Sequence, residues 1–199
     1  MLRVGLTGGL ASGKSFVGKA LAEQGCYLIK ADEIGHQVLS PGGEAFALVV
    51  REFGPAFLAP DGSLDRKRLA TEVFNRPERL AALNRLVHPP VIRRQDRMME
   101  EIGARDPGAI VIVEAAVMIE AGTFRRLDKL IVVVCGEEQQ VARALARGLT
   151  REEALARIRR QMPLEEKRTF ADYVIDTSGD EPGTLRQVKE IYRLLRSLA

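Results

Sequence analysis

Short apolar, β-branched runs alternate along the chain with stretches of helical periodicity. The runs are residues 3–7 (RVGLT), 26–30 (CYLIK), 109–115 (AIVIVEA), 130–135 (LIVVVC) and 173–176 (YVID). The third and fourth are apolar nearly throughout, the pattern of strands covered on both faces of a parallel sheet. In the last helical stretch Leu185, Val188, Ile191, Tyr192, Leu195 and Leu198 recur at helical spacing and are assigned to one buried face. Strand–helix alternation of this kind predicts an α/β sandwich around a five-stranded parallel sheet.

One interval breaks the rhythm. Residues 31–105 hold no convincing strand, only helix-like patterns punctuated by Pro41-Gly42-Gly43, Pro60-Asp61-Gly62, Pro77 and Pro89-Pro90. That is too long for one crossover, so a helical insertion suited to a second substrate is expected there. The organisation expected is one domain over residues 1–199. Its core covers about 1–31 and 106–199, the insertion about 32–105, and a short helical lid about 148–162.

Charge sharpens this picture. The formal net charge is only +3, which gives no sign of a nucleic-acid-coating surface, yet residues 143–168 hold eight cations against four acids. Either one segment is built to meet anions or it is a solvated basic helix. Cys26 and Cys135 lie far apart in apolar runs without ligand spacing, as buried free thiols of an intracellular protein would. No leader pattern opens the chain, and no run approaches the roughly 20 apolar residues of a membrane helix. A soluble, cytosolic protein is expected.

The chemistry begins at residues 8–15. Gly8-Gly9-Leu10-Ala11-Ser12-Gly13-Lys14-Ser15 fits G-x-x-x-x-G-K-[ST], between a strand-like run and the apolar-periodic residues 16–22. Glycines let such a loop curl so that its backbone N–H groups converge on phosphates. The following helix directs its N-terminal dipole at the same charge. Lys14 then reaches the β- and γ-phosphates, and the Ser15 hydroxyl ligates Mg²⁺. This loop is shared by switches, motors and small-molecule kinases. No N-K-x-D guanine signature is present, and the small size with a helical insertion favours a kinase.

On the acceptor side, Asp32 follows the second strand at the carboxyl edge of the sheet. A carboxylate there suits a base that takes the proton of an acceptor alcohol. It equally suits an N-cap of the next helix. Glu114 ends a very apolar run, where an unpaired charge would be costly, and an acid at that strand end commonly serves Mg²⁺. Glu120 fits a similar role or a solvated helix position. Arg143 and Arg147 are spaced to share one helix face, as a phosphoryl clamp or as an exposed basic helix. His88, before Pro89-Pro90, fits a structural place at a helix break.

Taken in order, these pieces resemble the dephospho-CoA kinase family over nearly the whole chain. TGGLASGKS at residues 7–15 matches its T-G-G-I-G-S-G-K-S, and KADEI matches D-A-D-x-I. Phe53-Gly54, Asp61-Gly62 and His88-Pro89-Pro90-Val91 match its F-G…D-G and H-P-x-I/V patterns. The likeness continues through Gln140, Arg143, Arg147 and Gln161 to residues 171–175. The resemblance implies the P-loop three-layer fold and transfer of the ATP γ-phosphoryl group to the 3′-hydroxyl of dephospho-CoA. It implies Asp32 as base, with Lys14, Arg143 and Arg147 catalytic. Gly8, Ala11, Ser12, Gly13, Lys14, Ser15, Phe16 and Thr177 are implied around the nucleotide, with His88 and Glu114 on the substrate side. The chain departs from the family pattern at Lys30 (usually Asp), Ala11 (Gly), Phe16 (Thr), Glu114 (Asp), Ala116 within AAVMIE (for P-L-L-F-E) and Thr177 (Asn). The rivals are another P-loop kinase acting on a nucleoside, nucleotide or polyol, and a non-catalytic nucleotide switch.

Overall fold

The computed structural model describes residues 1–74, with the Phe74 side chain excepted, and residues 76–199. By their contacts they form two compact units, Met1–Lys30 with Ile102–Ala199, and Ala31–Glu101.

The first unit is built on five parallel strands: β1 (Leu2–Gly8), β2 (Tyr27–Lys30), β3 (Ile110–Glu114), β4 (Lys129–Val134) and β5 (Tyr173–Asp176). Their order is β2-β3-β1-β4-β5. Every residue of β3 is buried, and so are the last five of β4, which is why those runs lack alternation. Helix α1 (Lys14–Glu23) packs Val17 and Leu21 into a core with Leu6, Ile112, Ile131, Val133 and Ile175. The chain leaves β1 toward β2 on one side and later places β4 on the other. The carboxyl end of β1 is therefore the switch point at which crevices open in such sheets. Arg3 fixes the opposite end, its guanidinium gripping both carboxylate oxygens of Asp128 just before β4, at 3.1 and 2.7 Å.

Helix α9 (Glu181–Arg196) closes this core, capped by Asp180, which accepts from Gly183 N at 2.8 Å. Its buried face is Thr184, Val188, Ile191 and Leu195. Leu185 and Leu198, expected on that face, are 43% and 52% exposed, and Leu198 lies beyond the helix end. Helical spacing identifies Val188, Ile191 and Leu195, and the buried face begins at Thr184, one residue before Leu185.

The second unit contains α2 (Ala31–Val38), α3 (Phe46–Phe53), α4 (Arg66–Phe74) and most of α5 (Pro77–Arg105). Val38, Val49, Phe53, Leu64 and Leu69 are buried in it, and Arg94 ties α5 to Glu44 and Gln37. The break expected at Pro89-Pro90 does not occur, because α5 continues through both prolines. They forfeit two ladder donors. Turns on both sides and a stripe of burial that includes Ala82, Pro90, Gln95 and Met99 hold the helix together.

The remaining helices of the first unit are α6 (Glu137–Leu145), α7 (Arg151–Ile158) and α8 (Leu164–Arg168). Thr150 and Glu153 cap α7 reciprocally, each side chain bonding the other's backbone N–H. Among the described residues no helix is long and apolar enough to cross a membrane.

Candidate active site

The loop after β1 has the shape its glycines permit. At Gly8 a Cβ would lie 2.4 Å from the Val133 carbonyl oxygen, so no larger residue fits against β4. Gly13 begins α1 with φ +95°, and a Cβ there would meet Thr177 Cγ2 at 3.1 Å. Ala11 carries φ 51°, a left-handed conformation that costs a non-glycine residue roughly 1–2 kcal/mol. Its buried methyl is repaid by contact with Ala144 and Ala154, flanked by Leu10 and Leu149.

Two polar side chains grip the loop at Leu10. Its N–H donates to Gln161 Oε1 at 2.8 Å, and its carbonyl accepts from Gln140 Nε2 at 2.6 Å. Lys14 Nζ donates to the Gly9 carbonyl at 3.0 Å, holding the ammonium over the loop. Ser15 Oγ donates to Glu114 Oε1 at 2.8 Å, which joins the head of α1 to the end of β3. Glu114 is buried, and its Oε2 has no hydrogen-bond partner. A hydroxyl and a half-satisfied carboxylate are hard oxygen donors, the kind magnesium takes. The buried Ser12 Oγ also has no partner.

On the far side of the loop, Thr177 Oγ donates to the Ser12 carbonyl at 2.8 Å. Arg143 donates to Thr177 Oγ at 3.0 Å and to its carbonyl at 2.6 Å. The cradle Gly8–Ser15, Glu114, Arg143 and Thr177 thus form one connected group. Arg147 does not share Arg143's helix face: α6 ends at Leu145, and Arg147 stands exposed in the following turn. Gly148 at φ +88° and the 144–149 turn end the helix earlier than spacing implied. Phe16 is 37% exposed on α1.

Asp32 and His88 belong to the second unit. Asp32 is exposed in the first turn of α2 and lies inside the helix, so it is not the N-cap. His88 lies within α5, and burial pushes its imidazole pKa below the usual value. Cys26 is buried and pushed up to about 11 by burial. Cys135, expected buried, is only half-buried just past β4.

A family model described as dephospho-CoA kinase matches residues 2–182. The chain belongs to the dephospho-CoA kinase family. It is 42% identical over 189 residues to the dephospho-CoA kinase of Carboxydothermus hydrogenoformans, covering 94% of this chain and 91% of that one. A crystal structure of a Thermus thermophilus protein superimposes with TM-score 0.84 at 36% identity, over 100% and 98% of the two chains. The dephospho-CoA kinase of Campylobacter jejuni gives TM-score 0.71 at 25% identity, over 98% and 96%.

Against the dephospho-CoA kinase pattern, several departures now have a structural reading. At Ala116 the fold uses the carbonyl, which accepts from Thr7 Oγ and Lys167 Nζ and which a proline would also supply. Lys30 stands beside Glu114 in the β2–β3 ladder. Thr177 spends its hydroxyl on the loop and on Arg143. Sequence reasoning missed two things. The dephospho-CoA kinase pattern contains Gln140 and Gln161 but gives no sign that they grip the loop at Leu10. Lys167, counted in the basic cluster, is fully buried against Glu120, and no periodicity in LEEKR signals it.

Proposed function

We propose that the chain transfers the γ-phosphoryl group of ATP to the 3′-hydroxyl of dephospho-CoA, giving CoA and ADP, in the cytoplasm. The observation that carries this reading is the Ser15–Glu114 pair at the head of α1, set in the phosphate cradle of a dephospho-CoA kinase family member. The cradle's backbone N–H groups and Lys14 hold the triphosphate and meet its charge as it redistributes. Ser15 and Glu114 are the residues that would hold Mg²⁺, and the orphaned, buried Glu114 Oε2 fits that duty. When bound, the ion supplies neutralising charge to the phosphates.

In the transfer, the acceptor oxygen bonds to the γ-phosphorus while the bond to the β–γ bridging oxygen breaks and ADP leaves with that electron pair. Asp32, exposed and without a hydrogen-bond partner among the described residues, takes the hydroxyl proton. Arg143 and Arg147 supply positive charge to the transferring group, and the unit Ala31–Glu101, which carries His88, takes the acceptor.

The test offers acceptors one at a time to the purified protein with ATP and Mg²⁺. ADP release with dephospho-CoA should far exceed that with adenosine, uridine, nucleoside monophosphates or pantothenate. Asp32→Asn should keep ATP binding and lose roughly 10²–10⁴-fold in turnover, the scale of a lost general base. Strong preference for another acceptor sinks the reading, and full activity in Asp32→Asn removes that residue from the chemistry. Lys14→Ala should fold and lose most turnover.

A further inference from the structure

Lys167 is the largest fully buried side chain described, and an ammonium is a costly group to bury. It donates to the Ala116 carbonyl and to Glu120 Oε1, both at 2.8 Å. The Glu120 side chain is 25% exposed, and its Oε1 also accepts the N–H of Met162 at 3.0 Å. Met162 ends the lid segment and directly follows Gln161, the residue that accepts from the P-loop N–H of Leu10. An unbroken chain of contacts thus runs from Lys167 through Glu120, Met162 and Gln161 to the phosphate cradle. A second branch reaches Thr7, the residue before Gly8, through the shared Ala116 carbonyl.

A buried ion pair is a poor way to gain stability, because well-packed apolar residues of similar volume often do as well or better. What it does supply is a fixed geometry at each end. We propose that Lys167 and Glu120 are positioning residues for phosphoryl transfer: their ion pair pins the C-terminal hinge of the lid, so that Gln161 meets Leu10 and the lid seats on the cradle in one register. The proposal rests on the kinase reading for its link to turnover. Hinge order and nucleotide affinity can be read without it.

The test separates positioning from stability with the double variant Lys167→Met/Glu120→Met, which removes both charges and keeps apolar volume. Its melting temperature should stay close to wild type. The amides of Met162 and Leu10 should exchange faster, because each loses the order of its acceptor, and a fluorescent ATP analogue should bind more weakly. In steady state, kcat/KM for ATP should fall about 10- to 100-fold, the scale of misplacing groups by about 1 Å, with KM for dephospho-CoA unchanged. If the double variant does not fold, Gln161→Met breaks the last link without touching the buried charge, and it must speed Leu10 exchange and lower kcat/KM for ATP. Wild-type exchange at Leu10 and Met162 together with wild-type kcat/KM, in the double variant or in Gln161→Met for Leu10, overturns the proposal. A wild-type protein inert toward dephospho-CoA would sink the kinase reading alone, leaving exchange and nucleotide binding to decide this one.

Discussion

Arg143 holds Thr177 with two guanidinium nitrogens, one on the hydroxyl at 3.0 Å and one on the carbonyl at 2.6 Å. The hydroxyl in turn donates to the Ser12 carbonyl. A residue read as a phosphate clamp is therefore also a brace between α6, the segment after β5 and the P-loop. Its neighbour in the motif, Arg147, is exposed and has no such duty.

The two arginines should consequently part company on substitution. Arg143→Ala should lower both kcat/KM and stability, the latter by about 1–3 kcal/mol for a half-buried, charge-assisted contact. Arg143→Lys should rescue only part, since the planar fork is lost. Arg147→Ala should leave the melting temperature unchanged and lower kcat/KM alone. Kinetics and thermal melts on the three variants decide it, and equal destabilisation by both alanines would contradict the assignment.

Gly13→Ala should destabilise the protein by roughly 1–2 kcal/mol from the left-handed φ alone. The contact with Thr177 Cγ2 adds to that. Thr177→Ser removes the methyl but keeps the hydroxyl oxygen, which the new Cβ would meet at 3.2 Å, so the double variant should recover only part of the contact share and keep the φ share. Complete recovery in denaturant melts would mean that the backbone is not strained there.

Glu114→Gln preserves shape and the hydrogen bond from Ser15 while removing the charge beside it. It should fold, bind ATP without metal as wild type does, and need about tenfold or more Mg²⁺ for half-maximal turnover, the scale for disturbing a metal site. An unchanged Mg²⁺ dependence would return Glu114 to a purely structural part.

His88 should make the fold sensitive to mild acid. Its pKa is depressed by burial in the folded state, whereas the unfolded chain titrates near about 6.5. Below that value the unfolded state binds more protons, so the stability present above it is lost as pH falls through the folded value. Melting temperature should drop from pH 7.5 toward pH 5.5, and His88→Gln should flatten that slope. An identical slope in the variant would assign the effect elsewhere.

The sheet and the cradle were legible because their physics is local. An all-apolar run such as residues 110–113 reports burial on both faces, and G-x-x-x-x-G-K-S reports a backbone shape that few other sequences can hold. The rest depends on partners remote in sequence. Lys167 reads as one more surface cation until Glu120 and Ala116 are seen around it. Pro89-Pro90 reads as a break until the flanking turns of α5 are seen to carry the helix across. Arg147 reads as helical because 3.6-residue spacing has no term for the Gly148 turn that stops α6 first.

The depressed acidity of the two cysteines has a consequence for life beside the reaction product. Coenzyme A and its precursor are themselves thiols, and exchange into a mixed disulfide requires a thiolate to attack a disulfide sulfur. With its pKa near 11, Cys26 is ionised in only about one molecule in 10⁴ at pH 7. Burial pushes Cys135 in the same direction, against the pull of Arg143. Both sulfurs are thus held toward the thiol form, which slows their exchange with any disulfide of a thiol substrate.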